Sequence, residues 1–161
     1  MKKLLTLLLF LAGSGLFAQD SLPAVNVNTL DGKTGSFPSF IKPGKPTVVF
    51  FWATWSKPSH EALDNLNKIY ARWQKEYNVE IVAVALDEGR YVSKISPIAK
   101  QKGWQHTILS DPNGDLKRAL GINSMPVYLL VKNGTIVSQK IGYTAGDEAE
   151  WEEEIKELAG Q

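Results

Sequence analysis

The chain has 161 residues, 43% of them hydrophobic, and carries 18 lysines and arginines against 17 aspartates and glutamates, a formal charge of +1. That length suits one domain with a real core, and balanced charge without a basic run argues against a nucleic-acid surface. Cysteine is absent, which excludes disulfides, thiolate metal sites and lipidation on sulfur.

Residues 1–18 read as a secretory signal: Lys2 and Lys3, an apolar run from Leu4 to Leu11, then small residues up to Ala18. The run is too short to be a permanent membrane anchor. Residues 19–161 are therefore expected as one soluble exported domain, periplasmic or otherwise extracytoplasmic, released by cleavage near Ala18. Loss of Lys2 and Lys3 leaves sixteen basic against seventeen acidic side chains, and a monomer is expected.

Residues 25–29 and 33–37 flank Asp31-Gly32, a short hairpin signal. Residues 38–46 form a connector punctuated by proline and glycine. Residues 47–52 are apolar on both faces, as a central strand covered by helices requires. Leu63, Leu66, Tyr70, Trp73 and Tyr77 then recur at spacings of three and four, which predicts a helix. Residues 81–86 form a second doubly buried strand, so this stretch reads as a right-handed parallel crossover. Residues 91–102 read as a helix that Pro97 either kinks or opens as its first residue. Residues 127–131 and 135–141 are strands joined by Asn133-Gly134, the strongest hairpin signal in the chain. Trp151, Ile155 and Leu158 mark a last amphipathic helix, whose early Asp147, Glu148 and Glu150 complement its positive end.

The most informative stretch is Phe50-Phe51-Trp52-Ala53-Thr54-Trp55-Ser56-Lys57-Pro58-Ser59. A buried strand runs into a turn and a helix start, with Ser56 and Ser59 at the junction. Asp111-Pro112-Asn113-Gly114-Asp115, Leu120-Gly121-Ile122, Ser124-Met125-Pro126-Val127-Tyr128 and Gly142-Tyr143-Thr144-Ala145-Gly146-Asp147-Glu148 come after it in that order. Together these segments resemble the TlpA/ResA-type thiol-disulfide oxidoreductases. The resemblance implies a thioredoxin-like three-layer α/β fold, a mixed central sheet with helices on both faces and an N-terminal β-hairpin extension. It implies that Ser56 and Ser59 stand where the family carries Cys-x-x-Cys. It also implies a cis-proline at Pro126, with the backbone of Met125 pairing an extended substrate peptide.

Thiol-disulfide exchange needs a thiolate that attacks sulfur and a second thiol that releases the mixed disulfide. A helix start can lower a cysteine pKa from about 8.5 into the neutral range, but it cannot usefully ionise serine, and oxygen forms no comparable redox couple. The dithiol reaction is absent from this chain. The resemblance also places a glutamate three residues after the second cysteine, where this chain has Ala62, with Glu61 one residue early. A form engineered only to block the thiols would keep that acid, so natural loss is the favoured reading. The alternative is a thiol-disulfide oxidoreductase, a disulfide reductase, represented by a Cys-to-Ser form.

Simpler roles compete for the same residues. Ser56 suits a helix N-cap, worth about 0.5–2 kcal/mol over alanine, and Ser59 can satisfy a backbone group in the same turn. His60 reads as an exposed first-turn residue. A hydrolase built on Ser56, Ser59 and His60 is disfavoured, because adjacent helical side chains point about 100° apart and no Gly-x-Ser-x-Gly elbow is present. With His60 and His106 the only histidines, no metal and no cofactor is expected. Residues 111–115 read as a turn, because the twelfth position of a calcium loop would fall on Ile122. The resulting expectation is an exported thioredoxin-like protein, redox-inactive at the usual site. It would bind a peptide or protein partner of the cell envelope through Trp55, Met125 and Pro126, gathered on one solvent-facing surface.

Overall fold

The computed structural model describes residues 21–160, so the leader read at residues 1–18 lies outside them. A hairpin of β1 (Asn26–Thr29) and β2 (Thr34–Ser36) comes first. It turns through Gly32, whose φ of 83° suits a residue without Cβ. A short 3₁₀ turn (Phe37–Phe40) leads to β3 (Thr47–Trp52), the long helix α1 (Lys57–Tyr77) and β4 (Glu80–Ala85). Then come α2 (Val92–Lys102), β5 (Thr107–Ser110) and the short α3 (Asp115–Ala119). The chain closes with β6 (Val127–Lys132), β7 (Thr135–Ile141) and α4 (Asp147–Ala159).

The seven strands form one sheet in the order β2-β1-β5-β4-β3-β6-β7. Strands β3, β4 and β5 run parallel, while β1 and β6 join them antiparallel. The two crossovers through α1 and α2 step in the same direction across the sheet. Because such crossovers are right-handed, both helices land on one face. There α4 joins them, over a core that includes Phe50, Trp52, Trp73, Tyr128 and Trp151. On the other face Val49, Phe51, Val84 and Leu129 are covered by Phe37, by Leu116 of α3 and by Leu22. The result is a mixed sheet between helical layers, as the resemblance implied.

All six residues of β3 are buried. Each large side chain there gains about 1.5–3 kcal/mol from leaving water, so this strand is a rigid frame for the turn and the helix start at its end. Two elements, β5 and α3, are additions to the sequence reading, which assigned only a turn at residues 111–115 between them. Pro97 lies well inside α2, so it does not open the helix.

Candidate functional site

The chain leaves β3 through a tight turn in which the Ser56 N–H donates to the Ala53 carbonyl at 3.1 Å. It enters α1 with the His60 N–H on the Ser56 carbonyl at 3.2 Å. Asp87, which comes just after β4 and is 1% exposed, pins this turn. Its carboxylate accepts the Thr54 N–H at 2.9 and 3.1 Å and the Thr54 hydroxyl at 2.6 Å. A buried carboxylate is tolerated when donors surround it in this way. Sequence reasoning passed over Asp87, whose only signal is an acid directly after a doubly buried strand.

Ser56 occupies the N-cap position of α1, yet its side chain makes no capping bond. A capping oxygen normally takes the N–H of the second or third helical residue. Pro58 is the second and has no N–H, which leaves Ser59 alone as a donor. The side chains settle the matter differently: Ser59 Oγ donates to Ser56 Oγ at 2.8 Å. Both capping expectations are thereby corrected. Ser59 is wholly buried and Ser56 nearly so. The two hydroxyls face each other across one helical turn. Ala62, also fully buried, brings no acid to them.

His60 is not the exposed first-turn residue that was expected. It is half-buried, its ring edge-on to Trp52 at 5.7 Å and to Trp104 at 5.9 Å. Its Nε2 is buried without a hydrogen-bond partner, and the Ser59 proton is committed to Ser56. Nucleophile and base are therefore not paired as hydrolysis requires. Trp104 in turn stacks on His106 at 5.8 Å, and its indole N–H donates to Asp64 at 2.9 Å. Burial disfavours the charged form of Asp64, but bonds from Lys102 and Trp104 outweigh it and hold the carboxyl below its usual range. His106 has no partner at either ring nitrogen, and burial pulls its pKa down to about 4. Among the described residues no group of three His, Cys, Asp or Glu side chains could hold a metal ion.

Trp55 projects from the same turn with 64% of its surface exposed. With Leu86, Lys117, Ile122, Asn123 and Met125 it lines a groove of about 180 Å³. The fold thus brings Trp55 and Met125 together across some seventy residues of chain. The Met125–Pro126 peptide is cis, and the Pro126 carbonyl accepts the Gly142 N–H at 2.8 Å. Pro126 itself is buried, which corrects the expectation of a solvent-facing ring. Its place at the head of β6, whose first five residues are buried, draws it under the surface. Lys117 was missed altogether, because a lysine in a short charged segment carries no signal of facing a groove.

Residues 18–142 match the AhpC/TSA family. The chain belongs to the AhpC/TSA family. Within it, this chain is 28% identical to the thiol-disulfide oxidoreductase ResA of Bacillus thuringiensis subsp. konkukian over 129 residues, 80% of this chain and 72% of that protein. It is 28% identical to the sporulation thiol-disulfide oxidoreductase A of Bacillus subtilis, covering 95% of this chain and 98% of the relative. Among solved structures, a thioredoxin-like protein of Porphyromonas gingivalis is 39% identical. It superposes with a TM-score of 0.77 over 86% of this chain and 92% of that one. This AhpC/TSA chain is thus a TlpA/ResA-like member of thioredoxin fold that carries no cysteine.

Proposed function

We propose that this AhpC/TSA-family chain is a binding protein that holds an extended peptide or partner loop against Trp55 and Met125 and performs no thiol-disulfide exchange. The observation that carries this reading is the buried Ser59–Ser56 hydrogen bond. Exchange requires a thiolate nucleophile and a sulfur leaving group. Here each is replaced by a neutral hydroxyl, and the hydroxyls are bonded to one another. The two Bacillus relatives are thiol-disulfide oxidoreductases; this chain shares their fold and lacks their sulfur. What remains is a surface. An exposed tryptophan beside a groove is a feature of interaction sites. Met125 adds an adaptable thioether side chain. By resemblance, its backbone pairs with the extended peptide as an added strand.

The protein would work outside the cytoplasm as a soluble monomer, exported by residues 1–18 and cut near Ala18, with its partner in the cell envelope. No helix among the described residues is long and apolar enough to cross a membrane. The test is capture from an envelope extract by the mature protein and by two variants. Trp55→Ala removes the ring, and Met125→Lys sets a charge against an apolar ligand. Each should deplete the same captured partner. Identical captured sets from all three proteins would overturn the proposal.

A further inference from the structure

Resting on the peptide-binding reading, we propose that the groove selects an acidic peptide segment, one with an apolar side chain on Trp55 and Met125 and an aspartate or glutamate against Lys117. The lining of the groove is apolar at Trp55, Leu86, Ile122 and Met125 and neutral at Asn123 and Ser124. Among the described residues that line it, Lys117 is the one with an ionisable side chain. It is also held firmly. Its backbone N–H donates to the buried carboxylate of Asp111 at 2.8 Å, and its carbonyl accepts the Ile122 N–H at 2.9 Å. The neighbouring Leu116 is fully buried and fixes the turn of α3 from beneath. The ammonium stem therefore starts from a rigid backbone, which lowers the cost of holding a ligand charge in place.

The carboxylate that pairs with this ammonium is that of Glu88, at 3.9 Å, with both side chains substantially exposed. A solvent-exposed pair at that distance contributes little, so a ligand carboxylate at normal bonding distance competes well for Lys117. Lys57, at the start of α1, borders a separate hollow with Glu61 and Asp64, so charge selection in this groove rests on Lys117. The Asp87 carboxylate is turned onto Thr54. Apolar contact and charge selection are supplied by different residues of one groove. That combination calls for an apolar and an acidic side chain close together on one strand.

The experiment is an amide and indole NMR titration of the mature protein with three blocked peptides, acetyl-Gly-Ser-Leu-Xaa-Ala-Ser-Gly-amide, in which Xaa is Glu, Gln or Lys. The glutamate peptide should shift the Trp55 indole and the Lys117 and Asn123 amide signals, and bind about five-fold more tightly than the glutamine peptide. The lysine peptide should bind most weakly. The preference for glutamate should shrink on going from low salt to ~0.5 M salt, vanish in Lys117→Gln and turn toward the lysine peptide in Lys117→Glu. Both variants leave the Asp111 anchor intact, because that bond is to the backbone. Equal binding of all three peptides, or a glutamate preference that survives in Lys117→Gln, would overturn the acidic selection and leave the groove standing. If no peptide moves the Trp55 or Met125 signals, the peptide-binding reading falls, and the selection with it.

Discussion

Replacing Ser56 and Ser59 together by cysteine should install a disulfide that closes within one molecule. The two side-chain oxygens stand 2.8 Å apart. A disulfide needs its sulfurs at about 2.0 Å and its Cβ atoms near 3.8 Å, so the approach required is a fraction of an ångström to about one. The bond closes a loop of four residues, for which the chain-entropy relation gives about 2 kcal/mol at 25 °C. For a domain of this size that corresponds to about 4–8 °C in melting temperature between the oxidised and reduced forms. A helix start with Lys57 beside it should also draw the first thiol below its ordinary value of about 8.5. Thermal unfolding with and without reductant, together with thiol titration and non-reducing gels, reads all of this. Oxidation that gives only intermolecular dimers, or an oxidised form that melts below the reduced one, would refute the placement of both serines on one helix start.

His106 makes stability depend on pH. Its folded pKa of about 4 lies below the ordinary value because burial disfavours the charged ring. The unfolded chain therefore takes up the proton first, so the contribution is whole above about pH 6.5 and is lost as pH falls through 4; the full span is about 3 kcal/mol. Urea titrations at pH 7 and 4.5 should show a larger drop for wild type than for His106→Phe, and equal drops would contradict the assignment. Asp87→Ala should cost about 2 kcal/mol, since it strips a charged acceptor from the Thr54 N–H and hydroxyl. Asp87→Asn should cost less. Denaturant unfolding measures both, and a neutral Asp87→Ala would show that the turn before α1 is held by something else.

Much of this fold was legible because its signals are local. Residues 47–52 and 135–141 were read with the observed bounds of β3 and β7. One is apolar on both faces, and the other is delimited by Asn133-Gly134. Strand β5 escaped because Thr-Ile-Leu-Ser is too short to show a period. It is a strand only because β4 and β1 pair with it from far along the chain. Helix α3 escaped for a related reason. Five residues cannot sustain a helix alone, and this one stands on the Asp111 carboxylate and the burial of Leu116. At the site, Ser56, Ser59, Trp55 and Met125 were legible through their motif. The Ser59–Ser56 hydrogen bond has no local signature, and the packing of His60 depended on Trp104, which only the fold brings near. Lys117 and Asp87 have no local signature. Their roles come from the junction of β4, α3 and the turn after β3.

The most direct measurement of whether this site works by binding is photo-crosslinking in the cell that makes the protein. A benzophenone side chain would be placed at Trp55 or, as a control, at Val137. That residue is also exposed, at 39%, but lies on the edge strand β7, toward the end of the sheet away from the groove. The expected result is a discrete adduct from position 55, lost when Met125→Lys is added, and none from position 137. Adducts from position 137 alone, or adducts from position 55 that are indifferent to Met125→Lys, would contradict a partner seated on Trp55 and Met125.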